Sequence, residues 1–147
     1  MTRSFSGLSR RLSLEQQLIR LRQRWGGEWR IERVPGGILA TGRVRPEPAC
    51  RSYKVRIRYS GKYPIVRVVD PLLRKMPEGK RVPHTYADGS LCLYHPDYGD
   101  WSTDKAIADT IVPWVSEWLY FYEFWLATNV WLGGGVHPKR GKVDRSK

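Results

Sequence analysis

Cysteine is scarce in this chain. Its 147 residues hold only Cys50 and Cys92. Two cysteines exclude a disulfide-rich scaffold. With three histidines at no shared short spacing, they also do not read as a zinc site. No charged segment followed by an apolar stretch and a small-residue cleavage site is seen, so no signal peptide is expected. The expected compartment is a reducing cytoplasm, where Cys50 and Cys92 stay unpaired. Acids are few as well: 14 against 26 lysines and arginines, which makes the surface strongly basic. Such a surface suits plain solvation, or an acidic partner, a nucleic acid or an anionic membrane. No strand interleaves basic residues with a series of stacking aromatics, so no nucleic-acid partner is expected. No metal and no cofactor are expected. The one apolar run of bilayer length, Ile111 to Leu132, contains Pro113, Glu117 and Glu123. Each acid would cost about 3 kcal/mol inside a membrane, so the run is expected to be a buried helix and not a span.

What is present reads as one domain. Residues 1–12 are Ser- and Arg-rich and are expected to be a flexible basic N-terminus. The domain is placed at 13–136 and a basic tail at 137–147. Ser13 and Gln16 make a capping box for an amphipathic helix whose apolar face is Leu14, Leu18, Leu21 and Trp25, ended by Gly26-Gly27. Arg20, Arg22 and Arg24 lie on its other face, as ordinary surface charge or as a docking face for an acidic partner. Four strands follow with period-two patterning. Trp29 and Ile31 come first, then Ile38, Ala40, Gly42 and Val44. Tyr53, Val55, Ile57 and Tyr59 alternate with basic Lys54, Arg56 and Arg58, and Tyr63–Val69 completes a meander. Cys50 falls in a Pro-rich turn and reads as structural. After Trp101 a helix is expected, capped by Ser102 or Thr103, kinked or broken at Pro113 and ended by Gly133-Gly134-Gly135.

The segment Val82–Trp101 organises the rest. It places Cys92 among Leu91, Leu93 and Tyr94, after an Asp88-Gly89 turn, with His84 eight residues upstream. Turn residues on both sides argue for a loop held at the surface, where a thiol can react. His95 and His137 each precede a proline and do not read as ligands.

The order of helix, four-strand meander, extended loop with one cysteine, tryptophan and helix resembles the ubiquitin-conjugating-enzyme (UBC-like) fold, an α+β architecture. The resemblance covers about residues 13–112. Val82-Pro83-His84 stands where the family has His-Pro-Asn, followed in frame by Gly89, Leu91, Cys92, Leu93 and Trp101. Tyr63-Pro64 resembles the family's Tyr-Pro at the fourth strand. In detail the chain is similar to a bacterial branch with H-x-Y-x-D-G-S-L-C-L-Y, present here as His84–Tyr94. It also shares P-W-x-x-E-W-L-Y-F-Y-E-x-W (Pro113–Trp125) and W-L-G-G-G-x-H-P (Trp131–Pro138). That branch belongs to CBASS antiphage operons. The resemblance implies a transferase that attaches the C-terminus of a cGAS-like nucleotidyltransferase to a lysine of a target. Two departures stand out. His84 replaces the family's Asn, and no acid here matches the one that eukaryotic members place near the incoming lysine.

A thiol suits such chemistry, because its thiolate attacks a carbonyl readily and a thioester stays reactive toward nitrogen. Cys92 is the expected nucleophile. His84 has three readings: oxyanion donor, general base, or a loop residue pinned to the backbone. Asp97 and Asp100 are candidates for deprotonating the incoming amine, or are turn residues. Tyr86 and Tyr94 are candidates for a groove that holds an extended tail, or pack the loop. Trp101 is expected to anchor the loop to the core. The alternatives are a Cys–His hydrolase, in which water takes the acyl group, and a non-catalytic basic scaffold that grips an acidic partner.

Overall fold

A computed structural model describes residues 11–94 and 100–133. Helix α1 spans Leu14–Trp25, and the expected capping box is present. Ser13 Oγ accepts from the Gln16 N–H at 3.1 Å, and Gln16 Oε1 accepts from the Ser13 N–H at 2.8 Å. Gly26 caps the other end. Just upstream, the Leu12 N–H donates to the Thr103 carbonyl at 2.9 Å.

Strands β1 (Trp29–Val34), β2 (Gly37–Val44), β3 (Tyr53–Tyr59) and β4 (Pro64–Asp70) form an antiparallel meander in sequence order. One face is dry: Trp29, Ile31, Ile38, Ala40, Tyr53, Val55, Ile57, Tyr59, Val66 and Val68 are buried. The other carries exposed Lys54, Arg56 and Arg58. Gly42 is opposite Trp29 in the ladder, and a Cβ there would come within 2.3 Å of the indole. Glycine is what lets that ring lie flat on the sheet.

The second helix departs from expectation at both ends. Residues 102–110 form turns, not helix, and helix α2 spans Ile111–Thr128. Pro113 therefore sits in the first turn, where its missing N–H would have had no helical partner. The expected cap Ser102 is used otherwise, its Oγ bonding the Asp104 carboxylate; at the actual start of the helix, Thr110 Oγ1 accepts from Trp101 Nε1 at 3.0 Å. Helix α2 stops at Asn129, whose left-handed backbone (φ 68°) lets its N–H reach the Trp125 carbonyl at 2.7 Å, well before Gly133. Ile111, Val115, Trp118, Leu119, Tyr122 and Trp125 of α2 are buried, as a core helix requires. No helix among the described residues is long and apolar enough to cross a membrane.

A buried glutamine fastens the turn segment to α1. Gln17 is fully buried; its Nε2 donates to the Lys105 carbonyl, and its Oε1 accepts from the Ile107 N–H, both at 2.9 Å. Replacing it by leucine leaves a buried donor and acceptor unmet, a cost of about 3 kcal/mol. Gln17→Leu is therefore expected to lower the urea midpoint of unfolding with an unchanged slope.

Tyr53, Tyr59, Tyr94 and Tyr122 are buried, and burial is the first cause that raises each phenol; Tyr94 is pushed up to about 12. A raised phenol pKa contributes stability that is whole below the unfolded value of about 10 and is lost as pH climbs through the folded value. Absorbance at 295 nm and circular dichroism, followed together, are expected to show these tyrosines ionising only as the fold melts, above about pH 10.

Candidate active site

The segment after β4 crosses the sheet edge and returns as a tight hairpin. Thr85 and Leu91 pair as an isolated antiparallel bridge, and the Tyr86 N–H donates to the Ser90 carbonyl at 2.8 Å. Gly89 turns the tip with φ 88°, which glycine adopts without strain. Asp88 fixes the turn. Its Oδ1 accepts from the Ser90 hydroxyl at 2.6 Å and the Ser90 N–H at 2.9 Å, while its Oδ2 accepts from Arg67 at 2.9 Å. Those bonds, Ser90 first and Arg67 after it, hold the carboxyl below its usual range.

Only this tip is at the surface. Thr85, Ser90, Leu91, Cys92, Leu93 and Tyr94 are buried, and Cys92 is 6 % exposed. The expectation of a surface-held thiol is corrected here. The physical reason is pairing on both sides of the cysteine strand: the Leu91 N–H donates to the Val66 carbonyl of β4 at 2.8 Å, and the Cys92 N–H donates to the His84 carbonyl at 2.9 Å. Trp118 of α2 donates Nε1–H to that same carbonyl at 3.1 Å.

His84 adopts φ 56°, the left-handed region that Asn, Asp and His tolerate better than most residues. The family's Asn and this chain's His thus share a backbone property. The His84 ring lies 5.0 Å from the Trp131 ring, and Trp131 meets Trp118 edge-on at 5.2 Å. These rings, with Cys92, Trp114, Glu117 and Phe121, line a narrow cleft of about 30 Å³, room for roughly one water. The structure therefore brings Cys92 and His84 to one cavity. Gly133 closes it, because a Cβ there would strike the Phe121 ring at 2.5 Å.

The other candidates fare differently. Asp100 is exposed and is not among the described residues that line the cleft. Asp97, His95 and His137 lie outside the described residues. Tyr86 and Tyr94 share a groove of about 430 Å³ with Tyr63, Ile65 and Leu91, separate from the cysteine cleft. Trp101 is buried and packs edge-on against Tyr59 at 5.8 Å, as an anchor should. On α1, Arg22 donates to the Ile31 carbonyl and Arg24 pairs with Asp109 at 2.6 Å. Two of the three arginines of the expected docking face are thus engaged within the fold. Cys50 is half-buried; burial first, then the Glu123 charge, pushes its thiol up, which suits an inert cysteine. Among the described residues no group of three or more His, Cys, Asp or Glu is placed to hold a metal.

One cleft residue escaped the sequence reading. Glu117 is exposed on α2 and is the single acid among the described residues lining the cleft. Its signal was the interruption of an apolar helix by a charge, four residues after Pro113 and next to Trp118. It makes no ion pair among the described residues.

Residues 17–138 match the family model for the type II CBASS E2 protein (E2-CBASS). No curated protein matches the chain.

Trp131 and Gly133, which follow α2, line the cleft together with Cys92. In a Cys50→Ser background, Trp131→Ala is expected to speed alkylation of Cys92 by iodoacetamide at least tenfold, read by intact mass. An unchanged rate would mean that the tryptophan does not limit access.

Proposed function

Because the chain belongs to the type II CBASS E2 family, we propose that it is a UBC-like cysteine acyltransferase of antiphage defence, with Cys92 as nucleophile. The observation that carries this reading is the shared cleft of Cys92, His84 and Glu117. The acyl donor is the C-terminus of a cGAS-like nucleotidyltransferase, supplied as an activated carbonyl by an adenylating or thioester-bearing protein. The Cys92 thiolate attacks that carbonyl carbon; the C–S bond forms and the activating group leaves. A target lysine amine then attacks the thioester. The C–N bond forms, the C–S bond breaks, and the electron pair returns to Cys92 as thiolate. The amine proton passes to a base at the cleft, for which His84 and Glu117 are the available groups.

A narrow cleft favours transfer over hydrolysis, since a thioester shielded from bulk water survives until an amine arrives. The donor's tail is assigned to the groove of Tyr63, Tyr86 and Tyr94, whose wall residue Leu91 adjoins Cys92. The His84 ring has a chemical role beyond its backbone. As an oxyanion donor it would contribute on the order of 3 kcal/mol to transfer. His84→Asn keeps the left-handed backbone accessible and so isolates the ring from the loop.

The test uses the partner nucleotidyltransferase prepared with a C-terminal thioester. Wild-type protein is expected to gain the partner's mass as a thiol-labile adduct, Cys92→Ser an ester stable to thiols, and Cys92→Ala nothing. His84→Asn is expected to load but to transfer to free lysine with a pH profile that lacks the imidazole limb. Glu117→Gln is expected to load normally and to transfer at least tenfold more slowly. Release of free acid without any adduct would favour the Cys–His hydrolase, and full phage protection by Cys92→Ala would favour the scaffold.

A further inference from the structure

A second groove, of about 310 Å³, runs along the other flank of the cysteine hairpin, between it and the crossing that follows β4. Its apolar lining includes Val68, Leu72 and Met76, and its charged lining is Arg74, Lys80 and Arg81. All three cations are exposed, and none pairs with an acid among the described residues. No acid is among the described residues lining the groove. Leu72 stands 77 % exposed beside them.

The charge here is held in place. The Arg74 N–H donates to the Tyr122 hydroxyl at 2.7 Å, and its guanidinium sits 5.1 Å over the Trp125 ring. Helix α2 thereby fixes one cation before any partner arrives, which lowers the ordering cost of binding. The other basic surface differs. On the outer face of the sheet, Arg30, Arg43 and Arg67 are ion-paired with Glu32, Asp70 and Asp88, around exposed Lys54, Arg56 and Arg58. That face neutralises part of its own charge, whereas the groove combines concavity, apolar contact and uncompensated cations.

We infer that this groove binds an acidic segment, interrupted by apolar residues, of the same protein whose C-terminus Cys92 accepts. The inference rests on the acyl-transfer reading of Cys92. Charge complementarity sets the sign of the occupant, and the apolar lining sets its class. Nucleic acid would call for a series of stacking aromatics, and Tyr86 is the single aromatic among the described residues lining the groove. Position selects the donor. Thr85, Tyr86 and Gly89 wall this groove; Thr85 bridges Leu91, and His84 holds the Cys92 N–H. A donor gripped here has its free tail beside the nucleophile, and tethering raises the tail's effective concentration without any new contact at the thiol.

The experiment uses full-length protein and the partner nucleotidyltransferase bearing a C-terminal thioester. One triple variant, Arg74→Glu/Lys80→Glu/Arg81→Glu, reverses the groove. A control, Lys54→Glu/Arg56→Glu/Arg58→Glu, reverses the sheet face by the same total charge. Calorimetry is expected to show the groove variant binding about tenfold or more weakly, with a flatter salt dependence, and the control within about twofold of wild type. A thioester of only the partner's last few residues is expected to load Cys92 equally in all three, which also reports that the variants are folded. Equal binding by the groove variant and wild type overturns the inference. So does equal weakening in both variants, which would reveal bulk charge alone. Displacement of the partner from the groove by single-stranded RNA at similar affinity overturns the choice of occupant. Failure of wild-type Cys92 to load even the short thioester overturns the acyl-transfer reading itself, and with it the assignment of the donor.

Discussion

A single carbonyl oxygen, that of His84, joins the Cys92 strand to the core helix. It accepts from the Cys92 N–H and from the Trp118 indole, which uses both of its lone pairs. A residue with φ 56° is what aims that oxygen inward while its ring turns to the cleft. The coupling extends further. Helix α2 carries Trp118, and the segment leading into α2 is fastened to α1 through Gln17 and to the cysteine stretch through Trp101 and Thr110. A change at Gln17, far from the thiol in sequence, therefore acts on the same frame that sets the cleft. The stability of the fold and the geometry of the site are one network here.

Burial of Cys92 changes what the site has to solve. Under the proposed acyl transfer, a thiol on an exposed loop would meet its donor freely and would lose the acyl group to water as freely. In the closed cleft the difficulty is entry. The cover is made of aromatic edges and a glycine, with Trp131 against His84 and Trp118 and Gly133 against Phe121. Such contacts are apolar and few, and each is weak enough to be traded for contacts with an arriving peptide. Ionised groups would resist that exchange more strongly. Glu117 is the exception at this cleft, and its exposure keeps it solvated.

The strands were legible because period-two alternation in Tyr53–Tyr59 is a local property: one buried face is enough to write it into the sequence. The start of α1 was legible for the same reason, since a capping box closes within one turn. Residues 102–110 misled because Ser102, Thr103 and Asp104 suit a helix cap and a turn equally well; the groups that hold the segment, the Leu12 N–H on the Thr103 carbonyl and Gln17 on Lys105 and Ile107, lie elsewhere in the chain. Gln17 itself reads as an ordinary polar residue on a helix, and only the packed segment opposite reveals it as a clasp. The cover over Cys92 was illegible on the same ground. Trp131 belongs to the chain beyond α2, and nothing local ties it to a histidine before that helix. Turn residues around Cys92 signalled exposure correctly for the tip at Asp88-Gly89 and wrongly for the strand behind it, where β4 supplied hydrogen bonds that no local pattern announces.

The hairpin that carries the cysteine is walled by two grooves of different character. Toward Tyr63 and Ile65 the surface is aromatic and aliphatic; toward Arg74, Lys80 and Arg81 it is apolar with fixed positive charge. Tyr86 belongs to both, so the ridge between them is one phenol ring at the hairpin's exposed tip. Apolar contact is short-ranged and sets which segment fits, while charge acts over roughly 8 to 10 Å in physiological salt and sets how often it arrives. Under the proposed function, in which one protein's tail is collected and delivered to a second protein's amine, separating these tasks is an advantage. Recognition can then reside on the rim of the hairpin, leaving the cleft behind it, with room for roughly one water, to hold little besides the reacting atoms.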